Sequence, residues 1–136
     1  RIEHMESIRK LQDRTNGFNC FIPLKFKASH NKLSYIGEVN LVEDLKNFAI
    51  SRIYLDNVKN LKAYWPMLCK QAAQIAIAFG VNDLDGTIDD STRIYSMAGA
   101  EDQNPSMTIE NLCATIRHMG KTPVERDSLY NPIKKY

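Results

Sequence analysis

Val81-Asn82-Asp83-Leu84-Asp85-Gly86-Thr87 follows directly on Gly80 and gathers two carboxylates, a hydroxyl and a glycine behind one short apolar run. The spacing predicts a strand over 83–87 that opens into small polar residues, the pattern α/β proteins show where strands give way to loops. Upstream, residues 71–79 are alanine-rich and apolar on most sides, which predicts a helix packed against a sheet and capped by Gly80. A second polar cluster, Pro123-Val124-Glu125-Arg126-Asp127-Ser128-Leu129-Tyr130, contains the last strand candidate, 122–126.

Working outward, Ile2, Met5, Ile8 and Leu11 recur every three residues, which predicts a helix to about Gln12, stopped by Asn16-Gly17. Phe18, Cys20, Ile22, Leu24 and Phe26 alternate with Asn19, Lys25 and Lys27, the two-residue period of a strand. Phe21 breaks the polar side, so both faces are expected to be covered, and Pro23 marks a strand end or a bulge. Residues 28–37 read as a long loop. Asn40 and Glu43 have capping-box spacing ahead of Leu41, Leu45, Phe48, Ala49 and Arg52, a helix that Asp56-Asn57 breaks. The apolar run 61–68, with Tyr64, Trp65 and Pro66, reads as a buried strand. A short helix over 94–97, the turn Ala98-Gly99-Ala100 and a loop at Asn104-Pro105 follow. Thr108 then caps a helix with Ile109, Leu112, Ile116 and Met119 on its apolar face, ending at Gly120.

Helix and strand therefore alternate four times with short connections, which argues for one α/β domain over 1–136, built of about four βα units with parallel strands. Four units are half of an eight-stranded βα barrel, whose full size is about 250 residues. A four-stranded open sheet is the competing architecture.

Composition narrows the function classes. The chain is 43% hydrophobic and 25% charged with a formal charge of +2, so no nucleic acid and no anionic membrane is indicated as partner. Lys134-Lys135 reads as a solvated end. No apolar run approaches the roughly 18 residues of a membrane span and no signal-peptide pattern is present, so a cytoplasmic location is expected. Cys20, Cys69 and Cys113 are odd in number and far apart, neither a disulfide framework nor a metal knuckle, and read as buried thiols. Arg1 stands where a native chain has Met, inside an apolar stripe already under way, which predicts processed, cloned or clipped material.

Four strand ends qualify as sites: Pro23-Leu24-Lys25, Tyr64-Trp65-Pro66, 83–87 and Glu125-Arg126-Asp127. Asp85 and Thr87, two apart on a strand, share a face and could hold a ribose or substrate hydroxyl. The alternative is that Asp83 or Asp85 caps the next helix and Gly86 makes the turn. Arg126 could bind a carboxylate bidentately, or form an internal salt bridge. Tyr64 and Trp65 face opposite sides of a strand, so at most one lines a lumen, and core packing is the simpler role for both. His4, His30 and His118 lie in separate elements and read as surface residues. No glycine-rich phosphate loop, zinc spacing or nucleophile elbow is present.

At these same strand ends the chain resembles the aminofutalosine synthases, radical S-adenosylmethionine enzymes of the futalosine route to menaquinone. The matching stretches are Phe21-Ile22-Pro23-Leu24 with Phe26, Leu55-Asp56-Asn57, Lys62-Ala63-Tyr64-Trp65 with Met67-Leu68, Asn82-Asp83-Leu84-Asp85-Gly86-Thr87, Ala98-Gly99-Ala100, and 123–127 with Leu129-Tyr130-Asn131. They run in family order over nearly the whole chain. Dehypoxanthine futalosine cyclase and the deazaflavin-precursor synthases share a looser version. Cys69 stands where glycine is expected after Met-Leu, and Ser96 where many relatives have histidine.

The resemblance implies the C-terminal half of a (β/α)8 TIM-type barrel of the radical SAM kind. It implies S-adenosylmethionine and a 4Fe-4S cluster as cofactors, the cluster held by a Cys-x-x-x-Cys-x-x-Cys loop that this chain lacks, so metal ligands are not expected here and the half alone is expected to be inactive. The implied reaction adds a 5′-deoxyadenosyl radical to the small-molecule substrate 3-[(1-carboxyvinyl)oxy]benzoate, giving aminofutalosine after loss of carbon dioxide. By position, Ile22 and Pro23 would lie near the adenosyl group. Asp85 and Thr87 would line the lumen with Tyr64, and Lys62 and Arg126 would meet substrate carboxylates. A half-barrel leaves strand edges unpaired, so self-association through them is expected. Rival readings are another futalosine- or deazaflavin-branch radical enzyme, and a stand-alone α/β binding module.

Overall fold

The apolar stripe at the start of the chain forms helix α1, Ile2–Thr15, in the computed structural model, which describes residues 1–29, 31–88, 94–100, 102 and 105–136. Its stop is Asn16, which takes the left-handed conformation at φ 47°, and not the glycine beside it. Gln12, buried one turn earlier, both donates to the Phe18 carbonyl (3.0 Å) and accepts the Phe18 N–H (2.8 Å), turning the chain into β1.

Strand β1 is only Cys20–Phe21, which corrects the strand expected over 18–26. Pro23 lacks the N–H a ladder needs. The alternation beyond it is real but inverted: Leu24 and Phe26 are exposed, whereas the Lys25 and Lys27 side chains are 13% and 5% exposed. Lys25 donates to Asp44 (2.6 Å) and the Val39 carbonyl (3.2 Å), and Lys27 pairs with Glu38 at 3.5 Å. Buried ammonium groups persist because each has a carboxylate. The 28–37 loop holds one 3-10 turn, Ser34–Ile36.

Helix α2, Leu41–Tyr54, starts on the expected cap: Asn40 Oδ1 accepts the Glu43 N–H at 3.1 Å. Past its end, Asn57 Nδ2 donates to the Arg9 carbonyl (3.0 Å) and Asp13 (2.7 Å), Asp56 pairs with Arg9, and Leu55 is fully buried. Leu55-Asp56-Asn57 thus ties α1 to α2.

Strand β2, Asn60–Ala63, gives way at once to helix α3, Trp65–Leu68, correcting the strand expected over 61–68. Pro66 sits in the first turn of α3, where its missing N–H costs nothing and its φ suits a helix. Helix α4, Lys70–Ala76, continues as a 3-10 turn, Ile77–Phe79, to Gly80 at φ 97°. Ala72, Ala73 and Ala76 let α4 approach the sheet closely, and with Leu45, Phe48, Leu61 and Trp65 they form the main core.

Strand β3 is Asp83–Leu84, shorter than the expected 83–87. β1, β2 and β3 make a parallel three-stranded sheet in that order, with Cys20 beside Asn60, Phe21 beside Leu61, and Lys62 beside Asp83. Helix α5, Ile94–Met97, and helix α6, Ile109–His118, follow, the latter capped by Thr108 Oγ1 accepting the Asn111 N–H at 3.2 Å. Asn104 lies outside the described residues, as does His30.

The fourth expected parallel strand is not one. Val124–Arg126 is strand β4, antiparallel to β5, Pro132–Lys135, in a separate hairpin. Asp127 turns it: Oδ1 accepts the N–H groups of Leu129 and Asn131, both at 2.8 Å. Lys134 and Lys135 are exposed, as a solvated end would be, but they belong to a strand. Past β3, pairing is carried instead by the Met107 N–H, which donates to the Ile88 carbonyl at 3.0 Å.

Cys69, between α3 and α4, has φ 75° and ψ 156°, a region that is essentially glycine's alone. Cys69→Gly relieves that strain, and after the entropy glycine loses on folding it is expected to stabilise the chain by about 1 kcal/mol. Thermal melting of Cys69→Gly beside Cys69→Ala checks it; equal melting temperatures would show that the backbone there is unstrained.

Candidate functional site

Alternation along β2 sorts the sheet into two faces. Leu61 and Ala63 pack into the core, so Lys62 between them points away from the helices, with Asp83 next to it on β3. The Lys62 ammonium lies 3.2 Å from Asp85 Oδ1 and 3.5 Å from Asp83 Oδ2. A lysine has three donors, and two are accounted for.

Asp83 is the hub of this face. Its side chain is 9% exposed, and it receives Arg126 as a fork: Nε to Oδ1 and Nη2 to Oδ2, both 2.8 Å. The remaining Arg126 nitrogen, Nη1, donates to the Asp127 carbonyl at 2.9 Å. The Tyr130 hydroxyl donates to Asp83 Oδ2 at 3.2 Å, and the guanidinium lies 3.8 Å from the centre of the Tyr130 ring. Hydrogen bonding to Asp83 raises the Arg126 pKa further above its ordinary value. Burial pushes the Cys20 thiol up, and burial with the neighbouring Cys20 and Asp83 raises the Tyr130 phenol well above its usual range. Cys20 and Tyr130 stay neutral at physiological pH. The site therefore holds two cations against two carboxylates.

The residues fall at two ends. Arg126, Tyr130 and Asp83 line a shallow cleft of about 180 Å³ with Asn60 and Asn82, which open β2 and precede β3, so this is the strand-start end. Arg126 accordingly does not join the strand-exit cluster expected for it, because the hairpin folds back beneath the sheet. At the exit end stand Asp85, Tyr64 and the exposed Thr87, none of them on a strand. Tyr64 leaves β2 while Trp65 opens α3, so opposite strand faces do not govern them. The Tyr64 hydroxyl donates to Tyr95 at 2.8 Å, and Trp65 Nε1 donates to the Gly86 carbonyl at 3.1 Å, anchoring 85–87 to the core. Ile22 is exposed and Pro23 half-buried after β1. Gly99, in the Ala98-Gly99-Ala100 turn at φ 84°, lies so close to the β1 loop that a Cβ there would meet Ser29 Oγ at 2.3 Å. The exit loops of all three strands are thus tied together.

Of the two sequence readings of Arg126, the internal salt bridge is the one formed here, with Asp83, a partner the sequence did not identify. Glu125 instead accepts from the Tyr136 hydroxyl, and Asp127 holds Asn131. Tyr130 had a signal only in the Leu129-Tyr130-Asn131 stretch; Cys20 and Tyr95 had none. Asp83 and Asp85 are engaged by cations and do not serve as caps. Cys20 and Cys69 are half-buried and Cys113 is buried, all three as free thiols. His4 and His118 are exposed. Among the described residues no group of three histidine, cysteine or acidic side chains could hold a metal ion, and no helix is long and apolar enough to cross a membrane.

Comparison with known proteins follows the same lines. The family model "CofH/MqnC C-terminal region" matches residues 15–135. An aminodeoxyfutalosine synthase of Thermus thermophilus is 40% identical over 98% of this chain and 37% of its own length. A cyclic dehypoxanthine futalosine synthase of Streptomyces coelicolor is 36% identical over 98% of the chain and 32% of its own length. A 5-amino-6-(D-ribitylamino)uracil–L-tyrosine 4-hydroxyphenyl transferase of Methanococcoides burtonii is 38% identical, over 98% and 39%. The chain thus spans about a third of the length of these relatives. With the family model matched over residues 15–135, almost end to end, the chain belongs to the CofH/MqnC C-terminal region family.

Proposed function

We propose that this chain is the C-terminal half of a radical S-adenosylmethionine barrel enzyme that joins the 5′-deoxyadenosyl group to 3-[(1-carboxyvinyl)oxy]benzoate, giving aminofutalosine. The observation that carries the proposal is Lys62, a nearly buried cation on the sheet face opposite the core, held between Asp83 and Asp85, in a chain 40% identical to an aminodeoxyfutalosine synthase. S-adenosylmethionine bound at a 4Fe-4S cluster would supply the adenosyl radical. This chain's described residues do not fit the cluster, since its free thiols form no ligand set.

What these residues do is orient and neutralise. Lys62 offers its third N–H to a substrate carboxylate, with Tyr64, Asp85 and Thr87 around it at the strand exits. Ile22 and Pro23 border the adenosyl group. Arg126, engaged by Asp83 and the Asp127 carbonyl, serves by neutralising Asp83, so that the Lys62 charge is less compensated on that side and more available to the substrate.

The test is the product. A full-length enzyme carrying this chain, given S-adenosylmethionine, a reductant and the enol-ether benzoate, is expected to form aminofutalosine. Turnover only of dehypoxanthine futalosine, or of tyrosine with the ribitylaminouracil, would move the chain to the branch of its other relatives.

On the same reading the sheet is completed by further strands beside β1, which among the described residues pairs with β2 alone. Alone, the chain is expected to sediment as a dimer or larger, through that edge. A monomer at tens of micromolar would show that the edge is already covered.

A further inference from the structure

The hairpin beneath the sheet is attached by polar atoms. β5 is exposed along its whole length, and Val124, Leu129 and Ile133 are exposed as well. Little apolar surface is removed from water, so the hydrophobic term that fixes the helices cannot hold this element. The backbone resists docking too, because Tyr130 sits at φ 67°, a region costly for a residue with a Cβ.

What opposes both is one carboxylate. Asp83 accepts Arg126 on both oxygens and Tyr130 on one, and the stacking of Arg126 on the Tyr130 ring locks the pair together. The same Oδ2 faces Lys62 from the strand-start side, while Asp85 faces it from the strand-exit side. Two carboxylates therefore compete for one ammonium. With its lone pairs taken by the hairpin, Asp83 is the weaker competitor, and Lys62 lies nearer Asp85, at 3.2 Å against 3.5 Å. The half-buried Cys20 thiol, beside the Tyr130 hydroxyl, lies under the same cover.

We propose that Asp83 is a positioning residue: by accepting Arg126 and Tyr130 it latches the C-terminal hairpin over the strand starts, and so holds the Lys62 ammonium toward Asp85 at the strand exits. The latch stands on this geometry alone; the use made of Lys62 rests on the catalytic reading above.

Lysine acylation and cysteine alkylation of the intact chain, followed peptide by peptide by mass spectrometry, read both parts. Asp83→Asn and Arg126→Ala are each expected to speed alkylation of Cys20 about tenfold, as loss of a charge-assisted hydrogen bond predicts. Acylation of Lys62 should quicken in Asp83→Asn, which removes one of its carboxylates, and not in Arg126→Ala, which frees Asp83 to hold it. Amide exchange across 124–135 should quicken alongside. Lys46, already exposed, and Cys69, half-buried between α3 and α4, should keep their rates, whereas a general loss of stability would speed Cys69. Arg126→Lys keeps the charge and loses the fork, so it should give a smaller rise at Cys20 in a folded chain. An unchanged Cys20 rate in both variants, a Lys62 rate that quickens in Arg126→Ala as much as in Asp83→Asn, or equal acceleration at every site in Arg126→Lys, would overturn the proposal. None of these readings needs cofactor or turnover, so they stand or fall separately from the product assay.

Discussion

Trp65→Ala is expected to lower unfolding stability by about 4 kcal/mol, within the range for truncating a fully buried tryptophan. Trp65 is 1% exposed and sits where β2 becomes α3, in contact with the main core. Alanine would leave a cavity walled by α4, β2 and Met107, and would strip the Gly86 carbonyl of its donor. A domain of this size has about 5–15 kcal/mol of stability in all, so the loss brings the chain close to unfolding at 37 °C. Urea titration followed by far-UV circular dichroism measures it, because this is the chain's one tryptophan and its fluorescence goes with it. Trp65→Phe keeps most of the packing and loses the N–H, so it should cost much less. A loss below about 0.5 kcal/mol for Trp65→Ala, no more than surface positions show, would mean that α3 is not anchored in the core.

The second large effect is on turnover. Lys62→Met in a full-length enzyme carrying this chain is expected to lower kcat/KM about a hundredfold, the loss of one hydrogen bond from a charged donor to a carboxylate, about 2–3 kcal/mol. Methionine matches the lysine stem in length, so packing along β2 is kept. Asp83 stays neutralised by Arg126, whereas Asp85 loses its cation. The fold should therefore survive while KM for the substrate carboxylate rises. Lys62→Arg should recover part of the loss. A kcat/KM within threefold of the parent would remove Lys62 from the site and leave the fold unaffected.

Much of this organisation is written in short stretches of the chain. Asn40 and Thr108 cap the helices their spacing predicts, and Gly80 takes the positive φ expected at a helix end. These signals are local: a cap satisfies N–H groups two or three residues away, so the residues that decide it are neighbours in sequence. Asp85 was named as a candidate from its place at a strand end, and Lys62 from the Lys62-Ala63-Tyr64-Trp65 stretch that carries the family resemblance.

The failures share one cause. Residues 22–27 alternate as a strand should, yet Lys25 and Lys27 turn inward, because Asp44 on α2 and Glu38 on the loop wait for them. Trp65 starts a helix where its neighbours read as strand, since Pro66 favours a first turn and the core has room for the indole. Arg126 bonds a carboxylate 43 residues away in preference to the two beside it.

By itself, then, the sequence determined the alternation of α1, β1, α2, β2, α4 and β3, the helix caps, the parallel α/β character and the family, all of which depend on periods and motifs within a few residues. Only the tertiary structure decided which side of an alternating run is inside, that the last strand folds back as a hairpin, and that Asp83 joins Lys62, Arg126 and Tyr130. Burial and ion pairing depend on what the rest of the chain brings to a position, and that partner is set by packing and not by nearness along the chain.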